Sequence, residues 1–380
     1  MSSNKPTLVI VTQSLNRTGS ELVLFNLLPY IKDHFSITLL SVFKGELYNE
    51  LPSYVHKDYL YAKPAVGLLG KIAKRLKDSF VVPGKLKKYA KGTWYINTIV
   101  LPDYVKFAEE NNIPCIVHTH ELEQMYKLLT PEQTQRLVNY PRLVIANSKI
   151  SADTITKFGR TKPIEVCYPA FDTRKITGAK FNPGEIRKKL GIKEEEFVWT
   201  MCGTIDDNKN PFLFVYVALE IKKSSTHLVK FVWIGNTPSG NDQYAGEVKK
   251  YVEDLGMSES ILWIENTRSN FHEYFSVADG FILTSQFESF SLVTLEALLL
   301  GLPVVANKCG GVNEILDNKC GYILEQKNNV EEMAAKMLEY MKNPIDEKER
   351  SEQIQFAQRF DISVWGVKWK DIILKYIAHA

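Results

Sequence analysis

Two glutamates, Glu288 and Glu296, stand seven residues apart in the segment 285–316, which reads SQFESFSLVTLEALLLGLPVVANKCGGVNEIL. Ser289 or Ser291 suits a helix N-cap, which leaves Glu288 on a loop and Glu296 about a turn and a half into the helix. A carboxylate accepts hydrogen bonds from vicinal hydroxyls, so the pair suits a ribose or a sugar ring. The helix N-terminus would present amide N–H groups to an anion. The alternative is that Glu296 is an exposed helix residue and that Glu288 only favours the helix dipole.

Short apolar runs alternate with helical patterns along almost the whole chain, and these elements must position the two glutamates. The predicted strands include Leu8–Thr12, Ser36–Val42, Ile113–His118, Leu143–Asn147, Ile164–Cys167, Phe197–Cys202, Val229–Ile234, Ile261–Ile264, Gly280–Thr284, Pro303–Ala306 and Gly321–Leu324. Strands that are apolar throughout are typical of a parallel sheet covered on both faces. The strand before Glu288 would deliver its loop to the carboxyl edge of such a sheet, where open α/β folds bind ligands.

The two βα series predict two doubly wound α/β domains. We place the first at residues 1–175 and the second at 195–355, with a polar, charged boundary between them. The remaining segment, 356–380, contains an amphipathic helix over Val364–Ile377. We expect the apolar face of this helix to pack back on the first domain.

The length and composition agree with this organisation and exclude several classes of protein. A chain of 380 residues is long enough for two domains, and its 45% hydrophobic and 24% charged residues exclude a disordered or collagenous chain. The formal net charge of +3 argues against a nucleic-acid partner.

Cysteine usage and hydropathy predict a cytoplasmic chain. The cysteines are scattered, with no CxxC pair, and we interpret them as buried thiols in a reducing compartment: Cys115, Cys167, Cys202, Cys309 and Cys320. The first apolar run, Leu8–Val11, is too short for a signal-peptide core. No stretch approaches the roughly 20 apolar residues of a membrane span, so any membrane contact would be peripheral.

The segment around the two glutamates resembles the C-terminal domain of the family 4 retaining glycosyltransferases. That family's pattern is E-x7-E followed by Ala, then Gly-Leu-Pro-Val-Val and a Gly-Gly-x-x-Glu turn. Here these read as Glu288 with Glu296-Ala297, the run 301–305, and the turn 310–314. The resemblance implies the GT-B architecture, in which two Rossmann-like domains face a central cleft.

A second segment resembles the family's diphosphate-binding loop. It holds Gly203 at a strand end and Lys209 six residues later, and a lysine suits a diphosphate. The family has an arginine where this chain has Thr204, so one positive charge is missing. Lys209 as an ordinary solvated lysine is the alternative. The family needs no metal, and we interpret the adjacent Asp206 and Asp207 as turn and capping residues.

Two features of the first domain also match the family. Gly19 resembles the second glycine of the Gly-Gly-x-Glu loop that approaches the donor, although Thr18 replaces the first glycine. A glycine there permits close backbone approach, or it makes only a tight turn. His118 and His120 match a His-x-His pattern at a strand end, which places one histidine near the transferred sugar; otherwise they are ordinary strand-end histidines.

The resemblance implies transfer of a sugar from a nucleoside-diphosphate sugar (UDP- or GDP-linked) to a glycan or lipid-linked acceptor, with retention and without a metal or other cofactor. The implied catalytic residues are Glu288, His118 and Lys209. The implied donor-binding residues are Gly19, Gly203, Thr204, Lys209, Glu288, Phe290, Ser291, Leu292 and Glu296. Retention is explained by same-face attack or by Glu288 as a covalent nucleophile. The alternatives in function are a non-catalytic sugar-nucleotide-binding protein and a sugar-nucleotide epimerase.

The charge is unevenly distributed, because residues 62–94 hold nine basic residues and one acidic residue. This segment has a net charge of +8, which leaves −5 for the rest of the chain. Apolar residues on one helical face, flanked by lysines, are typical of a helix in an anionic membrane interface. The alternatives are a solvated basic helix packed on the first domain and a docking site for an anionic glycan.

Overall fold

The computed structural model describes residues 5–62, 82–238, 240–265, 271–316 and 320–377. The chain divides into two compact units. The first comprises residues 1–171 together with 362–380, and the second comprises Asp172–Asp361. Most of the basic segment predicted to meet a membrane, residues 63–81, lies outside the described residues.

The first unit is built on a parallel sheet in the order β3-β2-β1-β4-β5-β6-β7. Its strands are β1 (Thr7–Thr12), β2 (Ser36–Phe43), β3 (Val55–Tyr61), β4 (Thr93–Ile96), β5 (Cys115–Thr119), β6 (Leu143–Ala146) and β7 (Ile164–Val166). Its helices within the described ranges are Gly19–Ile31, Val82–Lys87, Pro102–Glu110, Glu123–Tyr126, Pro131–Asn139, Lys149–Lys157 and Ile362–Ile377. Because the order reverses beside β1, the carboxyl ends of β1 and β4 form a switch point where ligands commonly bind.

The second unit repeats this plan in the order β10-β9-β8-β11-β12-β13, again parallel throughout. Its strands are β8 (Phe197–Cys202), β9 (Val229–Ile234), β10 (Ile261–Ile264), β11 (Gly280–Leu283), β12 (Val304–Ala306) and β13 (Tyr322–Ile323). Its helices within the described ranges are Arg174–Thr177, Pro183–Lys189, Pro211–Ser224, Asp242–Asp254, Phe271–Phe275, Leu292–Leu299, Val330–Lys342 and Glu347–Ala357. The switch point lies between β8 and β11. The predicted α/β class with two parallel sheets is confirmed.

The central strands are apolar because both faces of each sheet are covered. β1, β6 and β11 are buried along almost their full length. β3 was not predicted, since its sequence VHKDYLY has three polar residues in a row and it lies at an edge of its sheet. All five cysteines are buried, as predicted. No helix within the described ranges has the length and apolar character needed to cross a bilayer.

The C-terminal helix Ile362–Ile377 packs on the helix Gly19–Ile31 of the first unit. A Cβ at Gly366 would lie 2.6 Å from the ring of Tyr30, so a glycine is needed where the two helices meet. The indole of Trp369 is buried and donates a hydrogen bond to the hydroxyl of Tyr95 at 3.0 Å. The ends of the second unit also meet, because the amide and hydroxyl of Thr173 both donate to the carboxylate of Asp361.

Candidate active site

Two loops meet at the switch point of the second sheet. One follows β8 and contains Gly203 and Lys209; the other follows β11 and leads through Glu288 into the helix Leu292–Leu299. Their strands pair only at Gly280–Trp199 and Phe281–Thr200, ahead of their carboxyl ends. The structure therefore brings the predicted phosphate-binding loop and the predicted E-x7-E segment together.

Hydrogen bonds that each involve at least one main-chain atom join the two loops. The side chain of Asn208 donates to the carbonyl of Phe287 and accepts from its amide, both at 3.2 Å. The amide of Gln286 donates to the carbonyl of Asn208 at 2.7 Å, and the hydroxyl of Thr284 donates to the carbonyl of Lys209 at 2.7 Å. The position of Lys209 relative to the second loop is therefore fixed by main-chain contacts.

Lys209 and Glu288 form an ion pair, with Nζ 2.5 Å from Oε1. Their side chains are 19% and 12% exposed. Burial, the largest single effect, disfavours the ammonium, but the carboxylate of Glu288 together with Asp206 favours it, and the pKa of Lys209 rises above its usual value. The stem of Lys209 lies across Gly203, where a Cβ would sit 3.1 Å from its Cδ. Lys209 is thus a partly buried, paired lysine and not a solvated one.

The Gly310-Gly311 turn holds the loop that carries Glu288. The amide of Glu288 donates to the carbonyl of Cys309, and the amide of Gly311 donates to the carbonyl of Glu288, both at 2.8 Å. Gly310 has φ +98°, a conformation that favours glycine. A Cβ on Gly311 would lie 2.0 Å from the carbonyl oxygen of Ser289. Both glycines of the turn are therefore required by the backbone geometry.

The helix Leu292–Leu299 begins directly after this loop. Ser291 occupies the N-cap position, one of the two positions predicted, at φ +89°, but its side chain makes no capping hydrogen bond. Instead its hydroxyl lies 2.8 Å from that of Thr294. Within the described ranges, the amides of Ser291 and Leu292 donate to no acceptor. The ring of Phe290 is buried against Phe360.

Glu296 lies beside the end of β8 and is not an exposed helix residue. Its side chain is 15% exposed, and its Oε1 is 3.2 Å from Nε2 of His272. Burial, together with the charge of Glu296, holds the pKa of the Cys202 thiol well above its usual value. His272 carries no motif, and the sequence analysis missed it.

Thr204 and Asp206 are engaged with their own loop. The hydroxyl of Thr204 donates to the carboxylate of Asp206 at 2.5 Å, and the same carboxylate accepts from the amide of Lys209 at 3.0 Å. Asp206 therefore caps the short turn Asp207–Lys209, which is the capping role predicted for it.

In the first unit, the loop around Gly19 closes on Glu21. Gly19 is the first residue of its helix, and the hydroxyls of Thr18 and Ser20 both donate to the buried carboxylate of Glu21. The carbonyl of Ser20 accepts from the side chain of Asn97, which follows β4, at 3.4 Å. The loop is thereby linked to the switch point of the first sheet.

His118 is buried at the end of β5, and its Nδ1 is 2.5 Å from the hydroxyl of Tyr95. Because Trp369 donates to that hydroxyl, the tyrosine hydrogen can be given to Nδ1, which leaves the proton of the neutral imidazole on Nε2. Nε2 has no hydrogen-bond partner among the described residues. Burial, with a smaller effect from His120, keeps the pKa of His118 well below its usual value.

His120 stands beside His118, with ring centroids 4.1 Å apart. Its Nε2 is 3.3 Å from the side-chain oxygen of Asn97, and burial lowers its pKa to about 4. The neighbouring carboxylate of Glu121 is desolvated, which raises its pKa although Thr98 and backbone amides donate to it. Both histidines of the pair are therefore neutral near pH 7.

Several residues that hold these loops were missed by the sequence analysis, because a lone polar residue after a strand carries no spacing pattern. They are Tyr95, Asn97 and Glu121 in the first unit and His272 and Asn307 in the second. Asn307 is fully buried after β12, and its side chain donates to the carbonyl of Ser285 at 3.0 Å and to Asn328 at 2.8 Å. Asn97, Glu121 and Asn307 share one signal, the position just past the carboxyl end of a strand, whereas Tyr95 lies inside β4 and His272 lies in the helix Phe271–Phe275.

Residues 183–360 match the family model of glycosyl transferases group 1. A D-inositol 3-phosphate glycosyltransferase of Segniliparus rotundus is 28% identical over 215 residues, 52% of this chain and 46% of the relative. A UDP-Gal:alpha-D-GlcNAc-diphosphoundecaprenol alpha-1,3-galactosyltransferase of Escherichia coli is 27% identical over 58% of each chain. The matched segments thus span about half the length of these curated relatives.

Solved structures resemble the whole chain. Anabaena Alr3699/HepE, solved in complex with UDP and glucose, superposes with a TM-score of 0.80 at 20% identity over 97% of this chain and 99% of that one. The sucrose-phosphate synthase of Thermosynechococcus elongatus gives 0.78 at 12% identity over 98% and 100%. The chain has the GT-B fold, and residues 183–360 of its second unit are similar to the glycosyl transferases group 1 family. The resemblance to glycosyltransferases of the GT-B architecture, inferred from the sequence, is confirmed.

Proposed function

We propose that this protein is a retaining, metal-independent glycosyltransferase that moves a sugar from a UDP- or GDP-sugar to a glycan or lipid-linked acceptor. The observation that carries the proposal is the gathering of Lys209, Glu288 and Glu296 at the carboxyl edge of the second sheet. A helix N-terminus lies beside them, in the segment that matches the family.

The donor would be held by groups of the second unit. Lys209 and the amides of Phe290, Ser291 and Leu292 bind the diphosphate, where negative charge grows as the sugar departs. Glu296 accepts the ribose hydroxyls, and Glu288 accepts hydroxyls of the donor sugar. Because Gly203 has no side chain, the aliphatic stem of Lys209 can lie across it. Thr204, the residue after Gly203, supplies no charge.

We also propose that two residues of the first unit, Gly19 and His118, contact the donor. The backbone at Gly19 approaches the donor, and His118 offers its Nε2–H to a ligand oxygen. Because His118 is neutral, it donates one hydrogen bond without adding a positive charge. The same-face route suits retention, since the departing phosphate oxygen accepts the acceptor proton while Glu288 accepts hydroxyls of the donor sugar.

The test is transfer measured with a panel of UDP- and GDP-sugars and glycan or lipid-linked acceptors, in buffer containing EDTA. We expect product with the anomeric configuration of the donor, assigned by NMR, and rates unchanged by the chelator. Inverted product would overturn retention, and activity that requires an added divalent ion would overturn metal independence.

One observation favours a second candidate, a non-catalytic sugar-nucleotide-binding protein. Thr204 stands where the family has an arginine, and its hydroxyl is directed to Asp206. The site therefore has one cation fewer to stabilise a departing diphosphate. Binding of a donor with neither transfer nor hydrolysis would support this candidate, and conversion of the donor to its epimer would indicate an epimerase.

A lipid-linked acceptor is favoured by the basic segment 62–94 and by the diphosphoundecaprenol in the name of the E. coli relative. In the described part of the segment, Lys85 and Lys88 pair with Asp58 at 2.9 and 3.1 Å. We propose peripheral contact with the cytoplasmic face of an anionic membrane. Flotation with anionic vesicles at low salt tests this: absence of binding would remove the membrane surface from the proposal.

A further inference from the structure

The ion pair between Lys209 and Glu288 joins two residues that would serve different parts of one ligand. Lys209 suits a diphosphate and Glu288 suits hydroxyls, yet Nζ of Lys209 lies 2.5 Å from Oε1 of Glu288 and the two side chains pair with each other. Within the described ranges neither side chain forms a second ion pair, although the charge of Asp206 also favours the ammonium of Lys209. The other hydrogen bonds of Lys209 are made by its main-chain atoms. A charge held this way is unavailable to a ligand until the pair opens.

We propose that Glu288 acts as an internal substitute for the donor's diphosphate, and that a nucleoside diphosphate displaces it from Lys209. Displacement transfers the lysine from the carboxylate to the phosphate, and it releases Glu288 to accept sugar hydroxyls. Recognition of the sugar is thereby made dependent on the diphosphate. This inference rests on the proposed function.

The local geometry supports an exchange of partners with little backbone movement. The flexible stem of Lys209 packs over Gly203, so that Nζ can swing without displacing a side chain there. The backbone of Glu288, in contrast, is held on both sides by the turn at Cys309 and Gly311. The lysine therefore moves while the glutamate stays.

Energetics favour the exchange. A mostly buried lysine and glutamate at this distance neutralise each other, and breaking the pair without replacement leaves an unpaired buried charge, which is strongly unfavourable. A diphosphate supplies more negative charge than one carboxylate, and the nearby amides of Ser291 and Leu292 add hydrogen bonds. If only the charge of Glu288 is removed, as in Glu288→Gln, Lys209 should be free to bind a phosphate.

The experiment is a double-mutant cycle in which calorimetry measures the affinity for UDP and for GDP. It is carried out at pH 8, above the ordinary pKa range of glutamate. Glu288→Gln should tighten binding of the preferred nucleoside diphosphate by about tenfold, the size of one charge-assisted contact. In a Lys209→Gln background the same change should have no effect. If Glu288 merely repelled the phosphate, the gain would persist without the lysine, which would overturn the proposal.

The matched control is the pair Lys230–Glu196 of the same unit, whose side chains are 14% and 11% exposed at 3.5 Å. Glu196→Gln should leave the affinity for the nucleoside diphosphate unchanged. An equal gain from this variant would assign the effect to overall charge and would contradict the proposal.

Two further readouts keep the test decisive. In a crystal structure with bound UDP or GDP, Nζ of Lys209 should lie beyond 4 Å from the Glu288 carboxylate; a persisting pair would overturn the exchange even if the glutamine variant failed to fold.

The sugar portion of the donor should add affinity in the wild type and none in Glu288→Gln. If the wild type binds no nucleoside diphosphate, the proposed function fails as well. Binding without any gain in Glu288→Gln overturns this inference alone.

Discussion

At the scale of single residues, the polar groups of the candidate site are distinguished by burial and by their partners. Glu296 is mostly buried and is contacted by His272. His118 and His120 are neutral and lie beside each other at the carboxyl end of β5. We therefore expect Glu296 to affect ligand binding and the two histidines to affect the pH dependence of stability, and the two effects can be measured separately.

We predict that Glu296→Ala weakens binding of the preferred nucleotide sugar by roughly 10- to 100-fold, since a hydrogen bond to a charged group contributes about 1.5–3 kcal/mol. The reason is the loss of the acceptor for the ribose hydroxyls. Calorimetry measures the change. Glu339→Ala is the control, because that carboxylate is 57% exposed on another helix. Equal affinities for wild type and Glu296→Ala would contradict the assignment.

The neutral histidines predict a loss of stability in acid. Burial lowers the pKa of His118 and of His120, so the unfolded chain takes up these protons first as the pH falls. The free energy of unfolding should therefore fall from about pH 6.5 towards pH 4, by up to about 1.4 kcal/mol per pH unit for each histidine. Denaturant unfolding measures this dependence.

In this experiment His120→Asn should flatten the pH dependence, because one of the two groups is removed. The control His227→Asn changes an exposed histidine of the second unit and should leave the curve unaltered. An unchanged slope in His120→Asn would show that this histidine is not buried in its neutral form.

At the scale of elements, the glycine turn 310–311 determines where the helix Leu292–Leu299 begins. We predict that Gly311→Ala disrupts the loop, because the new Cβ would lie 2.0 Å from the Ser289 carbonyl oxygen. The expected result is a destabilisation of about 1–3 kcal/mol, as for overpacked sites. We also expect loss of nucleotide-sugar binding, and both are measured by thermal unfolding with and without the ligand.

Gly184→Ala is the matched control for this prediction. Its Cβ would come no closer than 3.8 Å to a described atom, in the helix Pro183–Lys189. It should leave ligand binding intact and raise stability slightly, since alanine favours helices over glycine. Normal binding in Gly311→Ala would contradict the role of the turn.

The elements also show what the sequence can predict. β8, β9 and β10 were predicted with their observed bounds, because buried parallel strands are apolar throughout. The start of the helix near Ser291 could not be predicted in detail. Serine there normally indicates a side-chain cap, whereas packing of the Gly311 backbone against the Ser289–Phe290 peptide accompanies a left-handed conformation instead. That contact joins residues about twenty positions apart, which no local pattern encodes.

At the scale of the whole molecule, the chain returns to its first unit after completing the second. The amphipathic pattern predicted that the C-terminal helix packs on the first domain. In the structure Trp369 of this helix contacts Tyr95, and Gly366 lies against Tyr30. The pattern identified the apolar face. It could not identify Tyr30 or Tyr95 as the residues that face meets, because they lie some 270–340 positions earlier in the sequence.

We predict that Gly366→Leu lowers the thermal midpoint of the first unit, because the added side chain would meet the Tyr30 ring at 2.6 Å. The expected cost is about 1–3 kcal/mol. Scanning calorimetry should show an earlier transition, whereas Val364→Leu, at a position 53% exposed on the same helix, should leave it in place. An unchanged midpoint in Gly366→Leu would mean that this helix contact contributes little.

The central claim is that a nucleoside-diphosphate sugar binds at the carboxyl edge of the second sheet. It is tested most directly by the thermal midpoint of the wild type and of the double variant Lys209→Ala/Glu296→Ala across a panel of UDP- and GDP-sugars. A ligand at a hundred times its dissociation constant stabilises the folded protein by about 2.7 kcal/mol, which raises the midpoint by several degrees. We expect that rise with at least one nucleotide sugar in the wild type and with none in the double variant. An equal rise in both proteins, or no rise with any donor, would contradict the account.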